Sequence, residues 1–462
     1  MASTIQIPRI VVAGAASGVG KTTVTVALIG ALRARGLRVA AFKCGPDYLD
    51  PTYHERALGA PSHNLDGWMM GRDAVVGTFA RIARDADVAV VEGMMGLYDG
   101  IAPDSDEGSS AEIAKWLGAP VLLVVDASGM ARTIAALAKG YAEFDREVRV
   151  AGVVANRVGG RGHLDLLRAS CGEIPIVGGF PADAELTFPE RHLGLFAATA
   201  AAVPQKVFER WSAIAREWLD LDAIVGIARS APALEIADES AKSRTRSRAR
   251  IGIAHDEAFH FYYDDNLRRL ESLGAELIRF SPVRDETLPE VDGIYIGGGY
   301  PEVEAERLSS NAPMIAAIRA FAANRGPVYG ECGGLMYLAQ SIKTLDGRAW
   351  PMAGLVPGEV SMVERLQALG YVEVETRAPS ILGAVGLRFR GHQFRYSVLE
   401  IPNERPIARL YWVKSRWGGV EFEEGYSVAN VLASYVHAHW ASNPAAAQGF
   451  VESCARWRSE HR

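Results

Sequence analysis

The stretch Ile10-Val-Val-Ala-Gly14-Ala-Ala-Ser17-Gly18-Val19-Gly20-Lys21-Thr22-Thr23 decides how this chain is read. An apolar β-rich run, Arg9–Ala15, enters a loop of small residues and leaves it through Lys-Thr-Thr. A helical pattern, Thr22–Arg35, follows and stops at Gly36. Small residues let backbone N–H groups crowd around phosphate oxygens, and the helix N-terminus adds partial positive charge. In such a loop Lys21 reaches the β/γ-phosphates and the Thr22 hydroxyl sits on Mg²⁺. Gly14, Ser17, Gly18, Val19, Gly20, Lys21, Thr22 and Thr23 are therefore the expected ATP site. The usual G-x-x-x-x-G-K-T has glycine where this chain has Ala15, with Gly14 one residue earlier. The bland reading, a glycine-rich turn beside a surface lysine, leaves strand, loop, Lys-Thr and helix in register without a cause.

Working outward, Arg38–Lys43, Val88–Glu92, Pro120–Asp126, Val148–Asn156 and Ile174–Gly178 read as further strands. Helical stretches lie between several of them. One is Ala111–Leu117, opened by a capping box of Ser109 and Glu112 and stopped by Gly118. Continuous apolar strands separated by helices predict an α/β fold with a mostly parallel, doubly wound sheet. Loops after such strands line the ligand crevice. Asp47, in Gly45-Pro-Asp47-Tyr48-Leu49-Asp50, and Glu92, in Val90-Val-Glu92-Gly93, are thus candidate Mg²⁺ carboxylates beside Thr22. Alone, an aspartate after Gly-Pro reads as a turn former. Asn156 ends another strand, placed either to read an adenine edge or to cap a turn.

At 462 residues the chain is too long for one ordinary core. A change of composition at Ser230–Arg250, ending in Lys242-Ser-Arg-Thr-Arg-Ser-Arg-Ala-Arg250, divides it. The expected parts are an ATP-dependent domain at 1–228, a linker at 229–249 and a second α/β domain at 250–462. The basic run could bind nucleic acid or acidic lipid, but a solvated linker is the commoner origin of such a run. The formal charge of −6 argues against a nucleic-acid partner. No apolar run is long enough for a bilayer, and the N-terminus lacks a signal-peptide pattern, so a cytoplasmic location without a membrane partner is expected. Four scattered cysteines form neither a disulfide framework nor a zinc motif.

One of them is different. Pro327-Val-Tyr329 leads into Gly330-Glu331-Cys332-Gly333-Gly334 and then an apolar helix. This is a G-x-C-x-G nucleophile turn, with glycines permitting strain and a helix N-terminus expected to lower the thiol pKa. A thiol nucleophile needs a base, and either His437 or His439 in Tyr435-Val-His437-Ala-His439 is placed for it. Gly297-Gly298-Gly299 follows another strand, and the N–H groups of Gly298 and Gly299 are candidates for an oxyanion hole.

Taken in order, these motifs resemble the cobyrinic acid a,c-diamide synthase family of corrinoid biosynthesis. Further carriers are Asn64-Leu-Asp-Gly-Trp68-Met69, Phe259-His-Phe-Tyr-Tyr263, Phe280-Ser-Pro282 and Asp292–Glu302. The resemblance spans nearly the whole chain. It implies a dethiobiotin-synthetase-like domain joined to a class I glutamine amidotransferase domain. It implies Cys332 as nucleophile and His437 as its base. Asp47, Tyr48, Leu49, Asp50 and Asp99 then belong to the substrate site, with Glu92 associated with metal. The small-molecule partners implied are ATP, L-glutamine and a corrinoid polycarboxylate, with a homodimer as a possible assembly. Commoner amidotransferases carry glutamate two residues after the histidine, where this chain has His439. Many relatives have Gly-His-Glu-Phe-His-Tyr-Ser where this chain has Gly391-His392-Gln393-Phe394-Arg395-Tyr396-Ser397. That departure argues against a catalytic role for the segment.

Two other readings fit less well. ParA/MinD-type ATPases carry a lysine five residues before the one that matches Lys21; here that position is Ala16, and Cys332 would be left without a purpose. Cobyric acid synthases are expected to carry Tyr-x-His-Gly, against which His437-Ala438-His439-Trp440 argues. Cobyrinate, hydrogenobyrinate and nickel-sirohydrochlorin are all polycarboxylates, so charge does not choose among them; overall resemblance favours cobyrinate.

Overall fold

The structure is a computed structural model, and it describes residues 3–183, 190–191, 194–195, 203–236, 248–404 and 406–461. The chain forms two compact units, Met1–Ser240 and Ala241–Arg462.

In the first unit seven parallel strands lie in the order His63–Leu65, Val39–Cys44, Val88–Gly96, Arg9–Gly14, Val121–Asp126, Val150–Val158, Ile176–Pro181. Every residue of Arg9–Gly14 is buried. Valine and isoleucine fill such a strand because branched side chains pack on a pleated surface covered from both sides. Helices Lys21–Ala34 and Gln205–Trp218 cross one face, with a Cβ on Gly30 standing only 3.0 Å from Ser212 Cβ. The capping box forms half as expected: Ser109 Oγ accepts from Glu112 N at 3.1 Å, while the Glu112 carboxylate takes Gly108 N at 2.9 Å.

The linker boundaries need correction. Leu234–Ile236 pairs antiparallel with Ser3–Ile5. The fully buried Arg9 guanidinium donates to Leu117 O, Ile7 O and Pro232 O. The first unit therefore reaches at least to Ile236. Ala249 already pairs with Ala275 in the next sheet. The basic run before Arg248 lies outside the described residues.

The second unit is built on a ten-stranded sheet. Ala275–Phe280, Ala249–Ala254, Gly293–Ile296, Val328–Glu331 and Val431–Ser434 form a parallel core. The sheet then continues antiparallel through Glu421–Val428, Ala408–Ser415, Ala368–Thr376, Arg388–Arg395 and His437–His439. The parallel order places the ends of Gly293–Ile296 and Val328–Glu331 side by side, which brings the triple-glycine loop next to Cys332.

Candidate active site

In the first unit the phosphate loop turns on Gly18 (φ 76°) and Gly20 (φ 90°), conformations that side-chain-bearing residues rarely adopt. A Cβ on Gly20 would also stand 2.2 Å from Asn156 Nδ2. That amide donates to Val19 O at 2.8 Å, Arg157 donates to Gly18 O at 3.0 Å, and the Tyr141 hydroxyl donates to Ala15 O. Three loop carbonyls are thus held from outside the loop. The sequence pointed to Asn156 but not to Arg157 or Tyr141, whose positions follow from strand order alone. Because Asn156 makes one buried hydrogen bond to the loop, Asn156→Ala is expected to weaken ATP binding about five- to tenfold. Titration with a fluorescent ATP analogue checks this, and unchanged affinity would count against the role.

Lys21 heads the following helix at 8% exposure. Burial, then the neighbouring Lys43 cation, pushes its pKa below the usual lysine value. Thr22 Oγ1 donates to Glu92 Oε1 at 2.6 Å and lies 3.4 Å from Asp50 Oδ2. Lys43, 3% exposed, sits between the same carboxylates, 2.6 Å from Asp50 Oδ2 and 2.9 Å from Glu92 Oε1. His54 Nε2 closes the cluster on Glu92 Oε2 at 2.6 Å. Burial opposes both charges, but Lys43 and the hydrogen bond from His54 hold Glu92 well below the carboxylate range. Burial and the field of Asp47 push Asp50 up to about 8. Lys43 and His54 are functional candidates that the motif reading missed. Each lies on its own element, and only the fold joins them.

Of the two roles weighed for Asp47, the structure shows the turn former. Its Oδ1 accepts from Leu49 N at 2.7 Å and Asp50 N at 3.1 Å, closing the turn that starts helix Asp50–Leu58. That turn aims Asp50 into the cluster and leaves Tyr48 and Leu49 half-buried beside it. Glu92 lies inside strand Val88–Gly96 rather than at its end, where the pairing with Arg9–Gly14 shifts register. Asp99 Oδ2 accepts from Gly96 N at 2.9 Å, and Leu97 N donates to Gly14 O at 2.8 Å, so this loop is bound to the phosphate loop. Among the described residues no three His, Cys, Asp or Glu side chains gather as a metal cage. The oxygen donors of Thr22, Asp47, Asp50 and Glu92 beside a phosphate loop nevertheless suit Mg²⁺, which takes one or two carboxylates and keeps several waters.

In the second unit Cys332 stands between strand Val328–Glu331 and helix Gly333–Leu338 with φ 50° and ψ −102°. This is the strained turn expected of an exposed-tip nucleophile. Its N–H donates to Ser434 O at 2.7 Å, which fixes the turn to the strand leading to His437. A Cβ on Gly298 would stand 2.4 Å from His437 Cε1, and one on Gly333 would stand 3.1 Å from Gly299 N. The glycine loop therefore packs on the base and on the turn after the nucleophile. Gly298 N–H is committed to Phe261 O at 3.2 Å, which removes it from the expected oxyanion pair. Gly299 keeps the position beside the turn.

Two expectations are corrected here. The helix N-terminus lowers the thiol pKa only through the Gly333 N–H, and burial outweighs it: burial pushes Cys332 up to about 12, with Glu302 adding to the rise. Burial pushes His437 down to about 3, with the neighbouring His392 adding to it. The segment 391–397 also belongs to the site. His392 pairs with His437 across the strands, Phe394 O lies 3.8 Å from Cys332 Sγ, and the Arg395 guanidinium stacks 4.4 Å over the Tyr435 ring.

With thiol and imidazole both neutral near pH 7, the free protein holds no preformed ion pair. Iodoacetamide labelling of Cys332 should then accelerate about tenfold per pH unit between pH 6 and 10, because only the thiolate reacts. Peptide mass mapping follows that one residue; a plateau near pH 7 would contradict the reading.

Residues 10–195 match the CobQ/CobB/MinD/ParA nucleotide binding domain family, and residues 250–445 match the CobB/CobQ-like glutamine amidotransferase domain family. The cobyrinate a,c-diamide synthase of Leptospira interrogans serogroup Icterohaemorrhagiae serovar copenhageni is 52% identical over 98% of this chain and 99% of its own length. That of Syntrophotalea carbinolica is 46% identical over 97% and 98%, and that of Priestia megaterium 40% identical over 98% of each. No helix among the described residues is long and apolar enough to cross a membrane. With relatives this similar along both halves, the chain belongs to the cobyrinate a,c-diamide synthase family.

Proposed function

We propose that this chain amidates the a- and c-side-chain carboxylates of cobyrinate, using ATP to activate each carboxylate and glutamine as the nitrogen source. The observation that carries the reading is that one chain holds both half-sites: the phosphate loop with Thr22, Asp50 and Glu92, and the strained Cys332 with His437.

At the second site Cys332 Sγ attacks the amide carbon of glutamine while its proton passes to His437. The imidazole then protonates the departing nitrogen, ammonia leaves, and water hydrolyses the thioester to glutamate. Because Cys332 sits at about 12 and His437 at about 3, the proton moves together with the attack rather than before it. Gly299 N–H is offered to the developing oxyanion. At the first site a substrate carboxylate oxygen attacks the γ-phosphorus of ATP, giving an acyl phosphate and ADP. Ammonia attacks the acyl carbon and phosphate leaves. Lys21 and the loop amides hold the transferring group. Asp47, Tyr48, Leu49, Asp50 and Asp99 line the side from which the substrate enters. Thr22, with Asp47 and Glu92, would hold Mg²⁺, which would neutralise charge on the phosphates. The proposal keeps the expectations of a homodimer and a cytoplasmic location; light scattering checks the first and cell fractionation the second.

The purified protein is incubated with Mg-ATP, glutamine and, in parallel, cobyrinate or hydrogenobyrinate, and product mass is followed. Each amidation exchanges a hydroxyl for an amino group, so a diamide shows the same small mass loss twice. Diamidation of cobyrinate supports the proposal. If only hydrogenobyrinate reacts, the metal-free ring is the substrate. If neither ring reacts while ATP is hydrolysed, the corrinoid assignment fails and nickel-sirohydrochlorin is tested next.

A further inference from the structure

His437–His439 is the last strand of its sheet. One edge pairs with Arg388–Arg395, and among the described residues no strand lies beside the other. Unpaired backbone groups on a buried edge need partners, and here side chains supply them. Glu331 Oε1 accepts from Ala438 N at 3.1 Å. Asn266 Nδ2 donates to Ala438 O at 2.7 Å, and its Oδ1 accepts from Trp440 N at 2.8 Å.

Glu331 does more than fill an edge. It is the residue immediately before the nucleophile and is 1% exposed. Its Oε2 accepts from Tyr295 OH at 2.8 Å and its Oε1 also accepts from Tyr329 OH at 2.8 Å. Tyr295 lies two residues before the Gly297–Gly299 loop, Tyr329 is on the strand that carries Cys332, and Ala438 follows the base His437. One carboxylate thus joins the three segments that deliver oxyanion donor, nucleophile and base. From the opposite side a second buried carboxylate, Glu424, accepts from Ser434 Oγ at 2.5 Å and Tyr435 N at 2.6 Å. The commoner triad orients its histidine with a carboxylate two residues later, and this chain has His439 there. His439 Nδ1 accepts from Ala441 N at 3.3 Å and its ring packs 4.7 Å from Tyr263.

We propose that Glu331 is a positioning residue for glutamine hydrolysis, holding His437 against Cys332 through the backbone of Ala438 instead of through the imidazole. The inference rests on the reading of Cys332 as the glutamine nucleophile. Its geometry demands an acceptor, not a charge. Glutamine at 331 can keep the bond to Ala438 N through its carbonyl, whereas leucine leaves that N–H buried and unpaired.

The test measures glutamate release and, separately, ammonia-driven amidation in the full-length protein for wild type, Cys332→Ala, Glu331→Leu and Glu331→Gln. Glu331→Leu is expected to lower kcat for glutamine about 100-fold with KM changed less than about twofold, and Glu331→Gln to recover to within about threefold of wild type. Ammonia-driven amidation should stay at the wild-type rate in all variants, which shows that the protein is folded. A Leu variant with wild-type kcat would overturn the proposal. So would a Gln variant as impaired as the Leu variant, or a rise in KM that accounts for the loss. If wild type and Cys332→Ala release glutamate equally, it is the glutaminase reading itself that fails.

Discussion

Cys332→Ala will lose glutamine-driven amidation by about 10⁴-fold or more, as expected when the atom that forms a covalent intermediate is removed, yet will keep the ammonia-driven rate. The structure offers no substitute nucleophile among the other cysteines. Cys44 and Cys454 are buried in the packed interior, and burial pushes the pKa of each thiol up. Cys171 is half-buried, and burial pushes its thiol pKa up as well. Alanine fits the space but not fully the backbone, since φ 50° suits few residues with a Cβ; cysteine already bears that strain, so the turn should survive. Product mass with glutamine, then with ammonium chloride, reads both activities from one preparation. Retained glutamine-driven turnover would remove Cys332 from the mechanism.

Lys21→Ala is expected to abolish amidation with either nitrogen donor, by about 10³-fold, because the lost charge acts on the transferring phosphoryl group rather than on glutamine. The side chain contributes little to folding. Its Nζ contact to Ala16 O is long, at 3.4 Å, and it is Lys43 rather than Lys21 that reaches Asp50 and Glu92. The variant should therefore fold, and it should still release glutamate from glutamine at Cys332. A Lys21→Ala protein that amidates with ammonia at the wild-type rate would displace the phosphate loop from the chemistry.

Both motifs are local. A glycine loop between a strand and a helix, or a cysteine on a glycine turn, has its geometry set within about ten residues, because backbone sterics and helix entry leave few conformations. For this reason the phosphate loop, the nucleophile turn and the parallel character of the first sheet could be read in advance. The elements observed begin and end within a few residues of those expected: Val39–Cys44 for Arg38–Lys43, and Lys21–Ala34 for Thr22–Arg35.

The errors came where distant segments meet. Glu331 meets Ala438 across 107 residues, Tyr141 meets Ala15 across 126, and His54 meets Glu92 across 38. Several of these residues lie inside recognised motifs, but no local stretch specifies which distant partner each one meets. Segment 391–397 departs from the family pattern at two residues, which argues against a catalytic role, yet its register with His437 brings it beside the nucleophile. The thiol makes the same point energetically. The sequence showed a helix N-terminus that favours the thiolate, but not the depth of burial that opposes it. Desolvating a charge outweighs one short helix's partial charge when surrounding strands exclude water.

The sequence by itself determined the two chemistries and the residues at their centres, because those depend on contiguous backbone. Only the tertiary structure decided which side chains support them and in what protonation state. Those depend on strand order and burial, which no local stretch encodes.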